Sequence, residues 1–135
     1  MLCMLALAPA STMGAESGIF KAAAQEATNC FAFYMMLKRC APTGAKDSEL
    51  RKVTSDINLS FALMTTFGKA AGQLRATILA NELLAIDSAG DVMKGDCANL
   101  GRLANPEGPV CKALLENPMR RLDQIRTEQE KAGSH

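Results

Sequence analysis

The chain has 135 residues, a size for one compact domain, with 48% hydrophobic and 21% charged residues, a globular balance that excludes a largely disordered protein. Its net charge is +1 and the charges are scattered, so no basic footprint marks nucleic acid or an anionic membrane surface as a partner. The one histidine is the last residue, His135, which removes the usual reagent of acid-base catalysis and of His-rich metal sites.

Leu2 to Ala8 form a short uncharged apolar run, followed by the small residues Pro9 to Ala15. This has the build of a secretory h-region and c-region, with Ala8-Pro9-Ala10 as an A-x-A cleavage pattern and Gly14-Ala15 as a second candidate cut. The basic n-region is missing. Residues 1–15 are therefore expected to be an export signal, with a buried helix start as the competing reading. The run falls far short of the ~20 apolar residues that span a bilayer, so no transmembrane span is expected.

Export would leave four cysteines, Cys30, Cys40, Cys97 and Cys111, and an even count in an exported chain points to disulfides. Cys30 and Cys40 lie ~15 Å apart along one helix and cannot pair. The breaker-rich stretch between Cys97 and Cys111 favours a local bridge there. The rival is a pairing that uses all four to tie the first helix to the C-terminal segment.

From Ser17 to Arg39, Phe20, Ala24, Ala27, Phe31 and Tyr34 recur at the spacing of one helix face, which predicts a helix of about 23 residues ended by Ala41-Pro42-Thr43-Gly44. Within it Phe31, Phe33, Tyr34, Met35 and Met36 belong to a segment apolar on every side. Such a segment is either central in the bundle or exposed as a contact surface for another chain. Asp47 or Ser48 reads as the next N-cap, with Glu49 in the first turn. The series Leu50, Ile57, Met64, Ile78 predicts one long helix over about 48–87, with Gly68 and Gly72 as the place of a bend or break. Gly68-x-x-x-Gly72 allows close helix packing or, as the rival, a homodimer seam.

After Ile86 the chain turns to Asp, Gly and Pro, which predicts short helical turns, one of them opened by Pro109. Asn117-Pro118 caps a last helix carrying Met119, Leu122 and Ile125, and the tail from about 127 has no apolar anchor and is expected to fray. The whole reads as an all-α antiparallel bundle with Phe20, Phe31, Tyr34, Phe61 and Phe67 anchoring the core.

Catalytic and metal signatures do not assemble. No short Cys knuckle, C-x-x-C-H or G-x-S-x-G occurs, and Asp87, Asp91 and Asp96 miss the EF-hand spacing, so no cofactor and no metal are expected. Glu26, Asp56 and Glu82 read as surface carboxylates. Met35, Met36, Met64, Met93 and Met119 read as core filling in preference to Cu(I) ligands. The expectation is a small periplasmic or secreted bacterial protein without enzymatic activity that binds another protein of the cell envelope. The alternative is a helical carrier of an apolar small molecule or lipid.

Overall fold

A computed structural model describes the backbone of residues 8–133 and the side chains of residues 16–133. All its regular elements are helical: α1 (Ala8–Arg39), α2 (Asp47–Ala70), α3 (Arg75–Met93), a 3₁₀ turn (Cys97–Asn99), α4 (Leu100–Glu116) and α5 (Pro118–Gly133). The described residues thus form the all-α bundle expected from the periodicity.

α1 is the hub, packing on every other helix, and α2 and α3 each lean on α1 far more than on one another. The reason lies in its sequence. Cys30, Phe31, Ala32, Phe33 and Tyr34 are all buried in succession, and at about 100° per residue such a run faces every direction around the axis. An alanine run before it (Ala23, Ala24, Ala27) lets the neighbouring backbones come close. Lys38 and Arg39 in the last turn complement the negative end of the helix dipole.

α1 starts at Ala8, well before the expected start at Ser17. Pro9 falls in its first turn, where a missing N–H interrupts no ladder. Of the expected signal, residues 1–7 lie outside the described residues, and the backbone from residue 8 continues the helix. α2 begins at Asp47 with Lys46 as its N-cap and no side-chain cap bond, so Asp47 and Glu49 act through the helix dipole instead of by capping.

The long second helix is two helices. Gly72 adopts φ +78°, Gln73 N–H donates to Gly68 O at 2.9 Å and Gly72 N–H to Lys69 O at 2.9 Å, the paired bonds of a Schellman stop. Gly68 is the close-packing half of the motif: a Cβ there would sit 2.8 Å from Ile78 Cδ1. The glycine pair therefore turns α2 into α3 and seats Ile78. Ser17 Oγ donates to Ala71 O at 3.1 Å, fastening the same turn to α1.

α3 ends on Lys94, whose φ of 53° places a lysine where glycine is preferred, while Gly95 N–H closes back to Gly90 O at 3.0 Å. The Lys94→Gly variant should therefore gain about 1 kcal/mol, read as a higher urea midpoint at unchanged slope. An unchanged or lower midpoint contradicts the strain.

Where breakers predicted separate turns, α4 runs unbroken through Pro106 and Pro109. Each proline costs a ladder bond, and buried Leu103, Cys111 and Leu114 on one side hold the helix to the core regardless. Asn117 Oδ1 accepts from Arg120 N–H at 3.1 Å and opens α5 with Pro118 as its first residue. α5 continues as helix past residue 127, where fraying is expected, to Gly133, and Gln129 Nε2 donates to Gly18 O at 3.3 Å, linking its last turns to α1.

The disulfides are Cys30–Cys111 and Cys40–Cys97, with Cα atoms 5.4 and 5.5 Å apart. The favoured Cys97–Cys111 bridge is thereby replaced by the rival pairing. Because α4 is one helix, Cys111 lies ~20 Å along its axis from Cys97, and the argument that separates Cys30 from Cys40 separates these two as well. Both bridges join α1 to the C-terminal half.

Candidate functional site

The outward side of α3 is the least expected surface of the molecule. Ile78, Ala85, Ala89 and Met93 face the core, yet Leu79 is 44%, Leu83 64% and Leu84 63% exposed, and Leu74 just before the helix is 75% exposed. Ala76 and Ala80 are exposed between them. At about 100° per residue, Leu79, Leu83 and Leu84 fan across the side opposite the buried stripe. α3 is thus apolar nearly all round, although only one side meets the bundle. Beyond Leu84 the surface becomes acidic with Asp87 and Asp91, and at the other end it begins with Arg75.

Beside this face a groove of about 270 Å³ opens between α2 and α3, lined by Phe61, Met64, Thr65, Lys69, Arg75, Ile78 and Leu79. Met64 and Ile78 form its buried floor, and Phe61 is exposed along it while its ring centroid lies 5.8 Å from that of Phe31.

The α1 segment read as either central in the bundle or a contact surface is mostly inside. Phe31, Phe33, Tyr34 and Met36 are buried, leaving Met35 as its exposed member, so the all-round apolarity of this segment reflects its central place. Of the expected aromatic anchors, Phe31, Tyr34 and Phe67 are buried, Phe20 is half-buried against Phe67, and Phe61 is exposed. Among the methionines, Met36, Met64 and Met93 fill the core and Met119 is exposed.

Tyr34 is the chain's sole tyrosine. Burial first, and then the nearby charge of Asp56, push its phenol up to about 12. The ionised form is disfavoured in the fold, so this group's contribution to stability is lost as pH climbs from about 10, the free phenol's value, towards about 12. Ultraviolet titration of phenolate absorbance reports this residue alone and should give a midpoint near 12 in folded protein; a midpoint near the free value would contradict its burial.

The carboxylates do not converge. Glu26 is held by Arg121, with Arg121 Nη2 to Glu26 Oε1 at 2.8 Å and Nε to Oε2 at 2.9 Å. Asp56 meets Lys52 at 3.3 Å. Asp96 Oδ1 accepts from Ala98 N–H at 2.9 Å and caps the 3₁₀ turn. Glu107, on α4, is shifted upward by burial and then by the charge of Glu26. It lines a cleft of about 290 Å³ with Asn29, Ser88, Val92 and Leu103. Among the described residues no His, Cys, Asp and Glu group could hold a metal ion, and no helix is long and apolar enough to cross a membrane.

The expectation of one long helix over about 48–87 follows a single apolar series through Ile78, and Leu79, Leu83 and Leu84 lie outside that series. The signal was present: Ile78, Leu79, Leu83, Leu84 and Ile86 distribute around the whole helix, more than one buried stripe uses. No family model, curated protein or solved structure matches the chain.

Proposed function

We propose that the chain is a small exported protein, periplasmic or secreted, with residues 1–15 as its export signal, that acts without catalysis by binding another protein of the cell envelope through the outer face of α3. The observation that carries the reading is the exposure of Leu74, Leu79, Leu83 and Leu84 on and beside a well-formed helix. Burying one such leucine is worth about 1.5 to 3 kcal/mol, and a contiguous exposed apolar patch is the usual mark of an interaction site. Two disulfides support the compartment, since such bonds persist where the surroundings are oxidising. The terminal histidine and the engagement of Glu26 and Asp56 in ion pairs support a non-catalytic role.

The test compares crosslinking capture from envelope extract by the wild type and by Leu83→Asp/Leu84→Asp. The wild type should retain a specific partner, a second copy of the chain included, and the double variant should lose at least tenfold of it. Both leucines are more than half exposed, so the melting temperature should move by no more than a few degrees. Equal capture by the two proteins, or none by the wild type, overturns the reading. The α2–α3 groove favours a second reading, a carrier of an apolar small molecule.

A further inference from the structure

We propose that the groove between α2 and α3 binds a single-chain anionic amphiphile, a molecule with one alkyl tail and one negatively charged head. The inference rests on the carrier reading, and the groove shares Leu79 with the α3 docking face but not Leu83 or Leu84.

Three observations converge. First, the groove is polarised. Lys69 in the last turn of α2 and Arg75 at the start of α3 bring two cations to the end nearest the connecting turn, whereas Phe61 lies two turns back along α2 and Leu79 one turn on along α3. Second, its charge has one sign. No acid lines it, and neither the Lys69 nor the Arg75 side chain has an ion-pair or hydrogen-bond partner among the described residues. Four other clefts of the molecule contain acids, Glu107 alone in one and Asp or Glu mixed with cations in the other three. Third, the floor is apolar and fixed, with Met64 and Ile78 buried while the Phe61 ring above them stays open to water.

An alkyl chain laid on Met64 and Ile78 would take the Phe61 ring and Leu79 out of water, which is the favourable term for the tail. A head group of one negative charge would sit between the Lys69 ammonium and the Arg75 guanidinium, whose fork matches a carboxylate or phosphate. A groove of about 270 Å³ matches one alkyl tail better than the two tails of a phospholipid.

The test is calorimetric and methyl-NMR titration of the oxidised full chain with decanoate, decyl sulfate and neutral decanol, each below its micellar concentration. Decanoate and decyl sulfate should bind saturably at one per chain and shift the Met64 methyl signal, with decanol at least tenfold weaker. Lys69→Ala/Arg75→Ala, at two exposed positions, should weaken both anions at least tenfold and leave decanol unchanged. Thr65→Trp, which fills the groove, should weaken all three. Leu83→Asp/Leu84→Asp should bind decanoate as the wild type does, so failure here with partner capture intact removes the carrier and leaves the docking face standing. Absence of saturable binding, equal affinity for decanol and decanoate, or an unaffected double-alanine variant overturns the proposal. So does association with anionic phosphatidylglycerol vesicles that decanoate does not compete.

Discussion

Reducing both disulfides should unfold the protein at physiological temperature, and the two bridges should open in separable steps. Cys30 and Cys111 are wholly buried at the centre of the bundle and close a span of 81 residues. On the chain-entropy account a loop of that length contributes about 4 to 5 kcal/mol through the unfolded state. Cys40–Cys97 is nested inside it. With the outer bridge closed, the inner one closes a shorter path, about ten residues on one side and about fourteen on the other, and contributes about 3 kcal/mol more. Together these equal a large part of the ~5 to 15 kcal/mol that a domain of this size possesses.

The two bridges also differ in access. Cys97 is exposed and Cys40 half-buried, whereas no solvent reaches Cys30 or Cys111. Thiol exchange needs an attacking thiolate to reach sulfur, so mild reductant should open Cys40–Cys97 first and leave a folded intermediate two mass units heavier. The second bridge should reduce only as the chain unfolds. Intact-mass spectrometry alongside circular dichroism follows both events. The fully reduced protein, or the four-alanine variant, should melt roughly 25 °C or more below the oxidised form. A reduced protein melting within a few degrees of the oxidised one would contradict this account, as would simultaneous loss of both bridges.

The same sulfurs show where sequence reasoning reaches and where it stops. That the cysteines form disulfides follows from their even count in a chain read as exported, and the exclusion of Cys30–Cys40 follows from helix rise alone. Choosing between the remaining pairings needed to know that α4 is one helix through Pro106 and Pro109, a fact decided by the burial of Leu103, Cys111 and Leu114 against local proline chemistry. Helix class and the start of α5 at Asn117-Pro118 were legible because caps and periodicity are local signals. The break at Gly72 was legible as a place and not as an event, since its positive φ becomes necessary only once Ile78 packs on Gly68. Which apolar segment is exposed is not legible for a related reason. An all-apolar segment in α1 and an all-apolar α3 look alike in sequence, and only the position of α1 as hub decides which of them is enclosed.

Arg121→Ala should be the most damaging single substitution outside the apolar core, at about 3 kcal/mol. Nothing in the sequence links Arg121 to Glu26, 95 residues away. In the fold the guanidinium grips both carboxylate oxygens, and the two side chains are only 18% and 14% exposed. A further bond from Arg121 Nη1 to Glu128 Oε1 at 3.1 Å and one to Gln124 Oε1 at 3.3 Å stiffen the arginine along α5. The bond with Glu26 holds the arginine more firmly in its charged form than it is in water. α5 buries only Leu122 and Ile125, so this ion pair is a large share of what fixes it to α1. Truncating the arginine leaves the Glu26 carboxylate enclosed without a counter-charge and close to Glu107, whose own charged form burial and Glu26 already disfavour. Arg121→Lys should lose about half as much, because an ammonium cannot meet both oxygens with fixed geometry. Replacing the pair by Glu26→Leu/Arg121→Leu should cost less than Arg121→Ala alone, since no charge is then stranded. The pH dependence has a definite sign. A carboxyl shifted upward in the fold, as Glu107 is, takes up its proton earlier in the native state than in the unfolded one, and so its contribution to stability increases on acidification. Protonating it also removes one of the two like charges, so the Arg121→Ala deficit should be largest at neutral pH and shrink as the solution is acidified. Urea denaturation at neutral and mildly acidic pH measures all of these differences. An alanine variant within about 0.5 kcal/mol of wild type at neutral pH, the range of an inconsequential surface change, would show that α5 is held by Leu122 and Ile125 alone.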